Sequence, residues 1–319
     1  MEKAFKTYGE LISILESRGI DFSAHNARRR AKRILQQEGY YNLINGYKAP
    51  FLQKDGKNRI LVPDQYKPES TVNEIRSLYS FDRELRSIIL TSILRIETNI
   101  KNLVSHAFSK AHGHKNYLVY SNFDTSQRDC AQNITKLIAE VQRQLSNRAS
   151  DPSICHYLQT YGYVPLWVLN NILTLGTISK FYSLMKQPER QEISKCFHLQ
   201  DNELSSVLTY LSSVRNVCAH SNRLYCFRTK RPLADLYVHE KLGIEKNASG
   251  EYIAGKRDLF AIMIVFYIIL SKGEFNAVIR KIDKEISVLN GQLHVLSIQD
   301  VLSYMGFPSD WELMLKQLP

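Results

Sequence analysis

An all-α fold is expected of this chain on three grounds. Apolar residues recur every three or four positions through most of its length, which is the period of a helix with one buried face. Runs that alternate with period two are scarce, so strand signals are weak throughout. Neither a repeat nor a low-complexity tract interrupts the pattern. The organisation expected is a basic N-terminal helical module over residues 1–70, a helical bundle over 71–274 and a C-terminal helical extension over 275–319.

Phe5, Leu11, Ile12 and Leu15 predict a first helix from Ala4 to Ser17, stopped by Gly19. Ser23 offers an N-cap for a second helix that ends at Gly39. This second helix carries Arg28, Arg29, Arg30, Lys32 and Arg33, too closely spaced to share one face. Through Lys67 there are thirteen Lys and Arg against seven Asp and Glu, so positive charge is concentrated at the front. Next, Tyr40, Tyr41, Tyr47 and Phe51 interleave with Asn42, Asn45 and Lys48. Aromatic planes beside cations suit single-stranded RNA, and the same residues suit a small aromatic core; both readings stand. Asp55–Asn58 reads as a turn, and Pro63 and Pro68 mark an irregular connection.

A long helix is predicted from Thr71 to about Ser109, with Ile75, Leu78, Leu85, Ile88, Ile89, Ile93, Ile96, Ile100, Leu103 and Val104 on its apolar stripe. Asp82 with Arg86 and Glu97 with Lys101 have the spacing of exposed i, i+4 ion pairs. His106, His112 and His114 match no common metal-ligand spacing and read as a loop. Ser126–Asn147 predicts an amphipathic helix. Pro165 then opens a helical stretch in which Trp167, Leu169, Ile172, Leu173, Leu175, Ile178 and Phe181 supply core and Gly176 permits close backbone approach. Leu259–Leu270 is the most apolar run; at twelve residues it falls short of the roughly 20 that cross a bilayer, and it reads as a buried helix. Two amphipathic segments follow Glu274.

With 319 residues and 44% hydrophobic content the chain can bury a large core. Lys and Arg outnumber Asp and Glu by 42 to 31, a formal charge of +11, which favours a polyanionic partner, nucleic acid ahead of an anionic membrane surface. The N-terminal stretch lacks the apolar run and cleavage site of a secretory signal, so a cytoplasmic protein is expected. Cys130, Cys155, Cys196, Cys218 and Cys226 include no C-x-x-C pair, so neither a disulfide framework nor a zinc site is indicated.

Function concentrates in Leu204–Tyr225. Leu204, Val207, Leu208, Leu211, Val214 and Cys218 form a buried stripe, broken by Arg215-Asn216-Val217-Cys218-Ala219-His220. On an ideal helix Arg215 lies about 40° from Leu211, whereas Asn216, His220 and Arg223 lie at about 120–180° on a polar face. An imidazole moves protons near neutral pH, and guanidinium groups hold phosphate and offset charge in the transition state. On RNA the adjacent 2′-hydroxyl supplies the nucleophile, so these residue types suit phosphodiester cleavage without a metal or other cofactor. Arg215 and His220 diverge by about 140°, so either the helix breaks near His220 or two copies meet across a symmetric dimer.

The block RNVCAHSNRLY resembles the motif of HEPN domains, whose ribonuclease members carry an arginine, a polar residue directly after it and a histidine four to six positions beyond. Its longer form, with Ala before the histidine and Arg-Leu-Tyr after, is similar to the Abi family of bacterial phage-defence proteins of the AbiD and AbiF type. GYYNLINGYK, FDRELR and IETNIK resemble further blocks of that family, whereas Asn171 stands where its members tend to carry a glutamate. The resemblance implies a HEPN bundle in which the long helix packs beside the motif helix. It also implies a dimeric endoribonuclease that halts growth of infected cells, restrained by a structured noncoding RNA. On that reading Arg215, Asn216, His220 and Arg223 form the catalytic set. RNA is held by Arg28, Arg29, Arg30, Lys32 and Arg33, by Tyr40, Tyr41, Tyr47 and Lys48, and by Arg228, Lys230 and Arg231 in the polar loop after the motif. The competing reading is a noncatalytic RNA-binding protein that grips phosphate with the same residues.

Overall fold

The computed structural model describes residues 4–318. The chain enters through α1 (Tyr8–Ser17), where the Thr7 hydroxyl accepts from the Glu10 amide and the Glu10 carboxylate accepts from the Thr7 amide. In α2 (Ala27–Glu38) only Ala31, Ile34 and Leu35 are buried, and the arginines and lysine occupy the remaining, solvent-facing part of the cylinder. Ser23 does not cap α2: Asp21 takes both its amide and its hydroxyl, and Asn26, in the left-handed region, precedes the helix instead. A π-helical turn over Tyr41–Asn45 and a 3-10 turn over Ala49–Phe51 follow, then an irregular stretch pinned by the isolated bridges Leu52–Tyr66 and Lys54–Ile60. Among the described residues there is no β-strand.

The spine is α3 (Val72–His112), 41 residues capped by the Thr71 hydroxyl and roughly 61 Å long. Around it stand α4 (Cys130–Asn147), α5 (Pro152–Tyr161), α6 (Leu166–Leu169), α7 (Leu175–Leu184), α8 (Gln187–Lys195) and α9 (Asp201–Ala219). The chain continues through α10 (Tyr237–Lys241), α11 (Phe260–Ile269), α12 (Lys272–Asn290), α13 (Ile298–Met305) and α14 (Trp311–Lys316). α9 packs against α3, α7 and α8, and α12 packs against α3. On α9 the side chains of Leu204, Val207, Leu208, Leu211 and Val214 are fully buried, each stabilising the fold by about 1.5–3 kcal/mol relative to exposure. α11 is buried from Phe260 to Phe266.

The expected N-terminal module, bundle and extension share one apolar cluster that runs from Ile12 to Leu315. Glu74, at the start of α3, accepts the amide protons of His294, Val295 and Leu296 at 2.9–3.1 Å. One buried carboxylate thereby ties the loop after α12 to the spine.

Further local expectations change. The predicted helix from Ser126 begins at Cys130, because Asp124 accepts from the amide and hydroxyl of Ser126 and from Gln127 and so fixes a turn there. The stretch after Pro165 divides into α6 and α7, since the Thr174 hydroxyl accepts from the Thr177 amide and starts a new helix. Trp167, expected in the core, is 50% exposed and lies against the His114 ring. His106 and His112 sit on α3 rather than in a loop, and His112 Nε2 lies 2.6 Å from Glu189. Gly176 does permit close approach, to the Ser212 side chain of α9 rather than to backbone: a Cβ there would meet Ser212 Oγ at 3.2 Å.

Candidate active site

α9 stops at Ala219, and His220 is its C-cap. Ser221 is left-handed at φ 55°; its amide bonds to the Cys218 carbonyl, and the Asn222 amide bonds to the Val217 carbonyl at 3.0 Å. This is the Schellman closure, made with serine where glycine is usual. The expected helix through Tyr225 is thus six residues shorter at its C-terminal end. The closure turns His220 out to solvent on the rim of a cavity of about 730 Å³.

Three elements wall that cavity. From the π-helical turn come Tyr41, Asn42 and Asn45; from α3 come Tyr79, Arg83, Arg86 and Ser87; from the motif segment come His220, Asn222 and Arg223. Tyr41 is 78% exposed, leaving a ring face free to stack. Arg223 donates to the Gly46 carbonyl at 2.9 Å, tethering the motif loop to the turn.

Beneath the cavity lies a polar cluster. Asp82, with no exposed surface, accepts from the Tyr47 hydroxyl at 2.6 Å, Arg86 Nη1 at 2.5 Å, the Leu224 amide at 3.1 Å and the Tyr225 amide at 2.7 Å. Arg86 also donates to the Asn222 carbonyl at 3.3 Å. Burial pushes the Asp82 carboxyl above the usual carboxylate range, while its donors and the guanidinium oppose that shift. Every residue from Asn222 to Tyr225 is therefore held by α3 or by the turn before it, which fixes where His220 sits. Cys218 lines the same cavity at 6% exposure, and burial pushes its thiol up to about 12.

Arg215 lies elsewhere. Its guanidinium opens on a separate cavity of about 370 Å³ with Glu97, Lys101, Arg148, Asn171 and Thr174. Glu97 pairs with Lys101 at 2.7 Å and approaches Arg215 Nε at 3.7 Å, yet Glu97 Oε2 and Arg215 Nε have no hydrogen-bond partner. The helix break near His220 is present, and it does not bring Arg215 and His220 into one cavity of a single chain. Asn216, one residue past Arg215, is exposed between them.

The two i, i+4 pairs expected at the surface lie inward, with only Lys101 among the four half-buried. Asp82 and Arg86 are 0% and 7% exposed because the Tyr47 turn and the motif loop cover them, and Glu97 is 6% exposed because it faces Arg215 on α9. Tyr47, a candidate for stacking on RNA, is 2% exposed and bonded to Asp82, so it belongs to the aromatic core with Tyr79 and Tyr225. Lys48 is ion-paired with Asp64 and half-buried, and Tyr40 is half-buried outside the cavity. Arg28 pairs with Glu16 at 2.5 Å, while Arg29, Arg30, Lys32 and Arg33 are exposed. Arg228 donates to the Tyr304 carbonyl, Lys230 and Arg231 are exposed, and none of the three lines the cavity. Arg83, which does, went unnoticed in the sequence, although the FDRELR block contains it.

No group of three or more His, Cys, Asp or Glu is placed to hold a metal ion among the described residues, and none of their helices is long and apolar enough to cross a membrane. No curated protein and no solved structure matches the chain. The profile of the family described as Abi-like protein matches residues 33–226. That span takes in the turn, the spine and the motif loop that together build the cavity, and on this match the chain belongs to the Abi-like protein family.

Proposed function

We propose that this protein is a HEPN-type endoribonuclease of the AbiD/AbiF kind acting in abortive phage defence, cleaving RNA without a metal. The family membership supports the phage-defence role. The observation that carries the nuclease reading is His220: an exposed imidazole on the rim of a cavity that also holds Arg83, Arg223 and the open ring of Tyr41, with its loop clamped by Asp82.

In the reaction the substrate's 2′-hydroxyl attacks the adjacent phosphorus, the P–O5′ bond breaks, and the products are a 2′,3′-cyclic phosphate and a 5′-hydroxyl. His220 acts as the general acid or base, taking the 2′ proton or giving one to the departing 5′ oxygen. Guanidinium groups bear the charge that develops on the phosphate. Arg215 does this from a second subunit. On α9 the exposed surface at Asn216 and Ala219 is flanked by Arg215 on one side and His220 on the other. A two-fold axis through that surface sets one chain's Arg215 opposite its partner's His220, giving two composite sites. The exposed cations of α2 suit a structured RNA that restrains the enzyme.

His220→Ala is expected to abolish cleavage and toxicity while RNA affinity stays within about twofold; end-group analysis of cellular RNA reads the cyclic phosphate directly. Toxicity and cyclic ends retained by the variant would remove the enzyme reading.

The separation of Arg215 from His220 within one chain favours a second reading, a noncatalytic RNA-binding protein. Under it the wild type leaves RNA whole, and the chain is monomeric by light scattering.

A further inference from the structure

Beyond Leu90 the outward face of α3 carries two adjoining hollows of about 710 and 520 Å³ that share Asn102 and His106. The first is reached from the His220 cavity along the i, i+4 row Leu90, Leu94, Thr98, Asn102 and His106, which winds about 40° around α3 at each step. Leu94, 46% exposed, bridges the interval. From Arg83 to Lys110, the last α3 residue that borders the second hollow, the helix runs about 41 Å.

No carboxylate borders either hollow. Arg95 and Lys110 supply cations, His106 and His114 supply imidazole rings, and Thr98, Asn99 and Asn102 offer neutral donors and acceptors. Arg95 is paired with Glu274 and Lys110 with Glu192, the latter at 3.0 Å, but the two cations are 72% and 63% exposed. Pairs of that kind are worth about 0–1 kcal/mol, so an incoming phosphate competes readily with the carboxylate. At the far end the half-exposed indole of Trp167 lies against the His114 ring with centroids 5.3 Å apart. A groove of cations and amides that ends on an open aromatic plane has the chemistry that single strands use. A second copy seated on this face by a two-fold axis would set these cations against each other.

We infer that a single RNA strand leaving the His220 cavity follows the outward face of α3 and stacks a base on Trp167. This rests on the RNA reading of the cavity and specifies the path of the strand, independent of whether cleavage occurs.

The test uses 2′-O-methyl RNA, in which the nucleophile is blocked, with the full chain. Of the two tryptophans, Trp311 is 2% exposed, so quenching of emission by RNA reports on Trp167. An oligonucleotide of about twelve residues is expected to quench that emission and to bind, by fluorescence anisotropy, at least about tenfold more tightly than one of about four. Trp167→Phe should remove the quench. Asn99→Glu with Asn102→Glu, both at exposed positions, should weaken the longer oligonucleotide about tenfold and leave the shorter unchanged. A longer oligonucleotide that binds without quenching, or no more tightly than the short one, overturns the path and leaves the cavity reading intact. Failure of both to bind removes the RNA reading and the path together. If Asn102→Arg changes the mass by light scattering and RNA affinity is unmoved, the face belongs to another copy of the chain and the path is wrong.

Discussion

Two carboxylates on one helix, fifteen residues apart, face the motif segment in opposite states, Asp82 beneath the loop that follows α9 and Glu97 beside Arg215 on α9 itself. Asp82 is saturated: four donors converge on it, and it holds the loop that presents His220. Glu97 has the same i, i+4 partner geometry through Lys101, but one of its oxygens and the Arg215 nitrogen facing it are left without hydrogen bonds beside an open cavity. A satisfied buried cluster rigidifies what it touches. An unsatisfied one retains capacity for something not yet bound, and this is where the proposed composite site needs its second half. The likeness of the two pairs in sequence thus conceals a division between fixing the site and completing it.

The sharpest way to break this comparison is Asp82→Ala, which strands a buried guanidinium, a tyrosine hydroxyl and two amides. A loss of about 3–5 kcal/mol in urea unfolding is expected, with the Leu224 and Tyr225 amides losing protection from hydrogen exchange. Thiol chemistry samples the same ground, because Cys218 lines the clamped cavity with its thiol raised to about 12. At pH 8 it stays protonated, and iodoacetamide should modify it on the order of 100-fold more slowly than the exposed Cys196, as read by mass spectrometry of native protein. Glu97→Ala should cost less than the Asp82 change, about 1–2 kcal/mol, because its partners border a cavity that water can enter. Equal losses for the two would erase the distinction. Smallest and of opposite sign is Ser221→Gly, which relieves a left-handed serine and should raise stability by up to about 1 kcal/mol, with a matching rise in the urea midpoint.

The sequence carried the fold class and the spine because apolar period survives any detail of packing: the stripe from Ile75 to Val104 lies on α3 and is buried, save for the half-buried Ile88 and Leu103 at its edges. It offered a helix break near His220 as one of two ways around the divergence of Arg215 and His220; the break is present, and the two side chains still open on separate cavities. What it lost were facts about depth. Asp82, Glu97 and Tyr47 have the spacing and polarity of surface or RNA-facing groups, and only the position of α9 and of the motif loop over α3 decides that they are interior. Trp167 erred in the opposite direction, since hydrophobicity alone places an indole inside. Arg83 escaped notice because a single arginine among many carries no periodic signal, and its role depends on a π-helical turn that composition does not announce.

The link between Glu74 and the amides of His294 to Leu296 bears on how this family is handled at the bench. The matched span ends at residue 226, before α11, which is enclosed from Phe260 to Phe266, and before the loop whose amides bind Glu74. Cut there, the product would carry bare greasy surface and a stranded anion at the root of its longest rod. The homologous stretch is therefore a unit of recognition and not of folding, and a fragment meant to express well should keep the segments downstream of it.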